Sequence, residues 1–600
     1  MNTKKLSVLS AACVAGAALF SLTVISLHGD ISMLAFPFSL AFTTVTAFFG
    51  VQKLFRAGER RFLPVFRELL QYLPYVLLIA FVLRRAGQFG TSTVLDVFSV
   101  LLWVIASALT LIISYYLHPK RVEKYVDGYK APEKKKRTGL QLIVSETVSW
   151  IDALVQAVFM VLLLNIFIVQ LYEIPSESMV PEFLIKDRVV VFKTLSGPKF
   201  PLSKIGLPYL KSYKRGDIVV FRNPHYEDDR KSEVKTFVSQ LVYMITLTKV
   251  NLNMDENGNP KADPLVKRLT GLPGEQLMMQ DGVLYHRTKA SDEFTAVTAD
   301  AKWAAWNLNA TKPSLKGDIQ QFPLAQEDYE AMLDCEEKRN ALDITSASLE
   351  CRSLADRFRV LASQKAFGGV EKTGKVNISQ NDLAVLKLVK TPMGGYYDYG
   401  LLSDSVSTGL TFRLLQASDG ADWFAHFMTD WTEQKIDFAG DLYSEANYKL
   451  NLMIKLTFGR LVVRNLELLS SGLQQSLWMS DGKRLDYFAQ AQMLNSYVFL
   501  LDRRNMPIFP PNDGDGNPQY IPDDCYFMMG DNRFNSLDMR HSYEDRLTAL
   551  TPYDTYSATY YSNMDPQYVH RSRVLGTTAY RFWPLPRRGI PGNHSDLLSE

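Results

Sequence analysis

The chain has 600 residues, with 66 basic against 63 acidic side chains and a net charge of +3 at neutral pH. That length exceeds one ordinary hydrophobic core, so several domains are expected, and the near balance of charge excludes a nucleic-acid binder relying on a broad positive surface. Four cysteines exclude a disulfide framework.

Almost all long uncharged runs lie before residue 172, and the remainder has the mixed composition of a soluble domain. Runs at 6–27, 31–51, 97–117 and 153–171 approach or exceed the about 20 helical residues that a hydrocarbon core requires, and a run at 69–83 is shorter. Basic residues gather at Lys4 and Lys5, at Lys53, Arg56, Arg60 and Arg61, and within 118–140, where Lys134-Lys135-Lys136-Arg137 is the densest group. Keeping all three clusters on the cytoplasmic side requires the short run to cross as well. Five crossings then leave the N-terminus inside and everything after Leu171 outside, with Arg84 and Arg85 on the disfavoured outer side. Lys4 and Lys5 before an apolar core also resemble a signal peptide, but the run is long and a second follows closely, which favours a retained anchor.

Past the last run come five segments. The first is Ile174-Pro175-Ser176-Glu177-Ser178-Met179-Val180-Pro181, followed by a β-rich Asp187-Arg188-Val189-Val190-Val191. Arg215-Gly216-Asp217-Ile218-Val219-Val220 reads as a turn into a buried strand, which Pro224 ends. Leu265-Val266-Lys267-Arg268-Leu269 is a strand closed by Gly271-Leu272-Pro273-Gly274, and Asp281-Gly282 between apolar residues predicts a hairpin. Tyr526-Phe527-Met528-Met529 places a strand before Gly530-Asp531-Asn532-Arg533 and Ser536-Leu537-Asp538-Met539-Arg540.

In order and content these segments resemble the sequence boxes of bacterial type I signal peptidases, membrane-bound serine proteases that remove signal peptides from exported preproteins. The resemblance implies N-terminal transmembrane helices followed by a mostly β extracytoplasmic catalytic domain with large mixed α/β insertions, in the bacterial cytoplasmic membrane. It implies Ser178 as nucleophile and Lys267 as general base. It further implies Ser176 and the Ser178 amide as the oxyanion hole, Ser536 as the group orienting the lysine, and Asp538 with Arg540 as a structural ion pair. Ile174, Met179 and Val266 fall where the family lines apolar pockets for small residues. The implied partners are preprotein signal peptides, the lipid bilayer and the secretion machinery, with no nucleic acid, metal or cofactor. Departures stand at Glu177 and Lys186, where the family usually has Gly, at Glu182 (Thr), Phe534 (Asp) and Met539 (Ser). Glu177 either faces solvent or alters which substrates are accepted.

The chemistry explains these residue types. A serine hydroxyl needs a base within hydrogen-bond reach, and His225, His286 and His541 lie outside the boxes' chemistry. A lysine can serve if apolar neighbours such as Leu265, Val266, Met179 and Phe183 depress its pKa from about 10.4 by desolvation.

The division expected is 1–171 as membrane region, 172–285 as the first part of the catalytic domain with an insertion near 225–262, 286–520 as an accessory insertion, and 521–600 as the second catalytic part. Within the insertion, Trp423, Phe424, Phe427 and Trp431, with the basic-apolar run from Lys449 to Leu456, read either as a separate core or as a membrane- or partner-docking surface. The stretch 237–250 is apolar enough to touch a bilayer. The loops from Asp513 and from Asp255 read as turns rather than calcium sites, because Pro518 occupies the sharp-turn glycine position of the first. A Cys335–Cys351 disulfide is open for an exported domain, with buried free thiols the plainer reading. A catalytically inactive scaffold on the same fold is the alternative function, and intact Ser178 and Lys267 argue against it. A self-cleaving cytosolic regulator fits five membrane segments poorly.

Overall fold

The computed structural model describes residues 2–592 except 130–138, 227–228, 247–249, 251, 255–257, 259–260, 391–395, 399 and 434. The basic run Lys134-Lys135-Lys136-Arg137, and the turn expected from Asp255 apart from Gly258, lie outside the described residues.

Among the described residues, five helical stretches are long and apolar enough to cross a membrane: Thr3–Thr23, Ile31–Arg56, Arg60–Ala86, Thr93–Tyr116 and Gln141–Phe167. They contain helices α1 (Thr3–Thr23), α2 (Ala35–Ala47), α3 (Leu63–Ala86), α4 (Thr93–Tyr116) and α5 (Leu140–Phe167). The weak run at 69–83 thus belongs to the 24-residue α3. Leu6, Cys13, Phe20, Leu70, Leu77 and Ile113 form a shared apolar core among α1, α3 and α4. At one end of this bundle Thr3 donates to Asp127 Oδ2 at 2.9 Å and Arg60 Nε to the Asp127 carbonyl at 3.0 Å, gathering the start of α1, the α2–α3 link and the 118–129 segment.

Arg84 and Arg85, which argued against the five-crossing arrangement, are buried at the other end of α3. Arg85 Nε donates to the Leu202 carbonyl at 2.7 Å and Nη1 lies 3.2 Å from Asp96 Oδ2, while Arg84 donates to the Ile25 carbonyl at 3.1 Å. Arg85 thus ties the bundle to the segment carrying Phe200, and Arg84 ties α3 to the chain just after α1. The Phe200 ring packs edge-on against Phe81, Trp103 and Phe167 at centroid distances of 6.0, 5.4 and 4.8 Å.

The last apolar run ends differently from expectation. Helix α5 stops at Phe167, and residues up to 173 form strand β1 (Val169–Glu173), because they pair with β2 (Arg188–Phe192) in antiparallel register. Side chains close the helix end: Lys193 Nζ donates to the Asn165 carbonyl at 2.8 Å and Thr194 Oγ1 to the Phe167 carbonyl at 2.9 Å. A cation on the last carbonyls also suits the helix dipole.

The remaining strands are β3 (Ile218–Phe221), β4 (Leu265–Gly271), β5 (Glu275–Gln280), β6 (Val283–Thr288), β7 (Ser291–Ala296), β8 (Leu388–Lys390), β9 (Tyr396–Asp398), β10 (Met506–Phe509), β11 (Cys525–Met529), β12 (His541–Ala549), β13 (Thr559–Met564), β14 (Val569–His570) and β15 (Val574–Trp583). Seven make one antiparallel sheet in the order β1-β2-β15-β3-β4-β11-β14, and β10-β5-β6-β7 make another. The Asp281-Gly282 turn joins β5 to β6 with both residues at positive φ, 52° and 79°, the geometry a two-residue hairpin needs. Near-continuous apolar sequence in β3 reflects burial of all four of its residues.

Between these sheet segments lie α6 (Arg230–Ile245), the single turn α7 (Pro313–Lys316), α8 (Gln326–Asn340), α9 (Ile344–Ala362), α10 (Asp404–Gln416), α11 (Gly420–Thr429), α12 (Leu442–Ser470) and α13 (Gly482–Arg504). Of the apolar stretch 237–250, residues 237–245 belong to a helix that begins at Arg230, and 247–249 lie outside the described residues. Helices α8 to α13 share a core, and Phe424, Phe427, Trp431, Leu450, Leu452, Ile454 and Leu456 are inside it, so the docking reading of that segment is wrong. Its lysines are spent internally: Lys455 is fully buried at 2.5 Å from Asp554, and Lys449 pairs with Glu445 at 2.8 Å. The segment reads as exposed because the carboxylate that neutralises its buried lysine, Asp554, lies about a hundred residues further along the chain. Cys335 and Cys351 are free and buried in the same core. The Asp513 loop is a turn in which Asp513 Oδ1 accepts the amides of Asp515 and Asn517 at 3.0 and 2.8 Å.

Phe200→Ala is expected to remove about 3–5 kcal/mol of packing. Thermal unfolding in detergent should show a lower midpoint and earlier proteolysis between the bundle and the sheet. An unchanged midpoint would mean that the bundle does not lean on Phe200.

Candidate active site

Strand β4 lies between β3 and β11 and carries Lys267, whose main chain is opposite Val219. Ser178 sits in the turns that follow β1, held where Asn532 N donates to its carbonyl at 3.2 Å and Asn532 Nδ2 to the Glu177 carbonyl at 3.1 Å. The Lys267 Nζ and Ser178 Oγ atoms are 2.6 Å apart, although the residues are 89 positions apart in sequence. That distance permits proton transfer.

The amine is in a dry place. Lys267 is 3% exposed, and Ile174, Met179, Phe183, Val189, Ile218 and Val220, with partly buried Val266, pack as one apolar cluster at this end of the sheet. Burial pushes the Lys267 pKa down to about 8, against the pull of Asp538 and Asp531, and Arg540 assists the lowering.

Each opposing carboxylate is occupied by an arginine. Arg540 meets Asp538 through Nε–Oδ1 at 2.8 Å and Nη2–Oδ2 at 3.0 Å, both side chains fully buried, and the Gly530 amide adds a bond to Asp538 Oδ2 at 2.9 Å. Burial alone would raise the Asp538 pKa, but Arg540 and the Gly530 amide hold the carboxyl well below the usual carboxylate range. Arg268, next to Lys267, grips Asp531 through bonds of 2.8 and 2.6 Å and lies over the Trp303 ring at 5.2 Å. Arg533 grips Asp300 at 2.8 and 2.5 Å.

The other expected groups are nearby. Ser176 is exposed, its Oγ 3.4 Å from Ser178 Oγ, and the Ser176 hydroxyl and Ser178 amide belong to one short segment. Ser536 lies against Gly530, where a Cβ would collide with the Ser536 hydroxyl and the Ser178 carbonyl, so glycine is required there. Among the described residues, the buried Ser536 Oγ makes no hydrogen bond to Lys267 or to another group. Ile174 and Met179 are buried within the apolar cluster, and Val266 is half-buried against it.

The departures also find physical reasons. Glu177 does not face solvent: its carboxylate is buried and accepts the amides of Gln320 and Gln321 at 2.5 and 3.0 Å. Glu182 is buried 3.5 Å from Arg268. Lys186 keeps φ at 70°, a conformation easy for glycine and uncommon for lysine. Phe534 packs edge-on against Trp306 at 5.2 Å, and Met539 joins the core of the sheets.

Histidines do not compete for the serine. His541 is buried, kept neutral by burial and by Arg540, and bonds Asn563 at 3.1 Å; His286 lies 3.1 Å from Glu275. The roles of Arg268, Asp531, Asn532 and Arg533 were missed in sequence, although these residues stand inside the recognised boxes, and Asp300 carried no local signal. The tail of the helical part reaches the same loop: Arg540 Nη1 donates to the Arg503 carbonyl at 2.8 Å, and Arg504 pairs with Glu336 at 2.9 and 2.8 Å.

Residues 147–335 match the family described as Signal peptidase, peptidase S26. Ser536, Asp538 and Arg540 lie beyond the matched stretch. Signal peptidase I of Buchnera aphidicola subsp. Baizongia pistaciae (strain Bp) is 28% identical over 166 residues, covering 27% of this chain and 48% of that protein. Signal peptidase I of Bacillus licheniformis is 26% identical over 144 residues, covering 24% and 52%. Signal peptidase I P of Bacillus subtilis subsp. natto is 24% identical over 211 residues, covering 35% and 81%. The chain thus spans about half the length of the first two of these relatives.

Asp531→Asn takes the bidentate carboxylate from buried Arg268, leaving Glu182 at 3.5 Å, and is expected to cost about 3–5 kcal/mol. Thermal or denaturant unfolding measures it, and a loss near zero would show that the pair does not hold the loop to β4.

Proposed function

From the match of residues 147–335 to the signal peptidase S26 family, we propose that this chain is a membrane-anchored serine endopeptidase that removes signal peptides from exported preproteins. The observation that carries the reading is the 2.6 Å approach of Lys267 Nζ to Ser178 Oγ inside a dry, arginine-balanced site. Neutral Lys267 takes the Ser178 proton as Oγ attacks the scissile carbonyl. The Ser178 amide and the Ser176 hydroxyl hold the tetrahedral oxyanion. The protonated amine then gives its proton to the leaving amide nitrogen, the C–N bond breaks, and an acyl-enzyme remains on Ser178. Water, deprotonated by Lys267, attacks this ester and frees Ser178. Ser536 acts by orienting the amine once substrate is bound. Ile174, Met179 and Val266 favour small residues one and three positions before the cut.

Placement supports the same reading. In the proposed topology the end bearing Thr3, Arg60 and Asp127 faces the bacterial cytoplasm, and the sheet that follows Phe167 lies on the extracytoplasmic side, in reach of a preprotein leaving the secretion machinery. Trp150 and Leu154 of α5 are exposed, as lipid-facing side chains would be.

Ser178→Ala and Lys267→Ala, assayed in detergent on a model preprotein, should each lower cleavage by about a thousandfold or more. The sign of the pH dependence follows from the lowered lysine pKa. Below about 8 the amine is protonated and cannot accept a proton, so kcat/KM should rise as pH passes through about 8. Lys267→Arg cannot lose its charge and should be inactive throughout. Full activity in that variant would sink the dyad.

A further inference from the structure

Residues 317–325 run from α7 to α8 without regular structure, and two anchors fix this strap beside Ser178. Ile319 is buried in a small core with Leu308, Leu315, Val180 and Leu184, the last two from the segment that follows the serine. One residue on, the Glu177 carboxylate takes the amides of Gln320 and Gln321 at 2.5 and 3.0 Å. Across the strap, Asn535 Nδ2 donates to Gln321 Oε1 at 3.4 Å, one position from Ser536. The strap therefore touches both the segment that carries Ser178 and the loop that carries Ser536.

What it presents outward is specific. The two amides are consumed by Glu177, so a substrate meets side chains rather than these N–H groups. Gln320 and Gln321 are exposed, and Phe322 is 39% exposed. A primary amide can donate to and accept from a peptide main chain, and an aromatic ring beside it limits the volume left for a side chain. A buried carboxylate next to the nucleophile is costly unless paired. Its two charge-assisted bonds give the strap one fixed position.

We infer that the Ile319–Gln320–Gln321–Phe322 strap is a wall of the substrate groove, at which Gln321 and Phe322 contact the preprotein next to the scissile bond and Glu177 acts as the positioning residue. This inference rests on the proposed signal-peptide cleavage and adds to it a determinant of which residues are accepted beside the cut.

Two measurements test it. In full-length Ser178→Ala protein in detergent, a benzophenone amino acid placed at position 322 should crosslink to a preprotein with alanines one and three positions before its cleavage point, at or next to that point. A crosslink confined to distant parts of the preprotein, or none, overturns the inference, and neither result depends on turnover. In the active protein, Phe322→Ala and Glu177→Gln should each raise, by about tenfold, the kcat/KM for a preprotein with Phe directly after the cut relative to one with Ala there. The pH at which activity rises should stay near that of the unsubstituted protein, which a general loss of folding would not select. An unchanged substrate ratio in both variants, with the unsubstituted protein active, overturns the strap and leaves the dyad standing. Absence of any cleavage by the unsubstituted protein instead overturns the proposed activity, and the crosslink still decides the strap.

Discussion

A lysine that is to accept a proton must be kept dry, yet Asp531 and Asp538 lie close enough to draw Lys267 toward its charged form. The structure resolves this conflict by pairing each carboxylate with an arginine before the lysine can have it. Arg268 takes Asp531 and Arg540 takes Asp538, in bidentate contacts buried from water. Much else depends on these pairs. They hold the loop after β11 against β4, and that loop in turn supplies Asn532 to the Glu177 and Ser178 carbonyls. Buried ion pairs are poor sources of net stability, but each is expensive to break from one side. They are thus suited to fixing a geometry.

The same device recurs where the extra parts of the chain meet the sheet. Arg85 with Asp96 joins the helical bundle to the Leu202 carbonyl, and Arg504 with Glu336 ties α13 to α8 where the Arg504 carbonyl takes the Gly282 amide of the β5–β6 turn. Apolar contact supplies the bulk of each junction, through Phe200 in one case and Trp306 beneath Arg504 in the other. Cores give adhesion without direction, and buried guanidinium–carboxylate pairs add direction. A site in which a proton moves over 2.6 Å needs both.

Legibility in the sequence followed the range of the interactions. The Asp281-Gly282 hairpin, the buried Ile218–Phe221 strand and the membrane-length helices rest on local patterns, and each forms. The segment from Lys449 to Leu456 misled because its pattern of lysines among apolar residues is the same whether the lysines meet water or, as Lys455 does, a carboxylate from residue 554. Arg85 likewise meets the Asp96 carboxylate from another helix. The end of α5 was placed four residues late because hydropathy continues through 168–171, while the pairing of those residues with β2 cannot be seen from hydropathy.

By itself the sequence determined the kinds of groups available: a serine after an apolar helix, a lysine in a valine- and leucine-rich strand, and a polar loop after a methionine-rich one, in an order that resembles one family. Periodicity and composition are local properties, and they suffice for such statements. Only the tertiary structure decided that Lys267 reaches Ser178, that Arg268 already occupies Asp531, and that Glu177 points inward to the amides of Gln320 and Gln321. Those outcomes turn on which partners desolvate and neutralise each charge. The partners come from residues far away in the chain, brought together only by the packing of the sheets and helices.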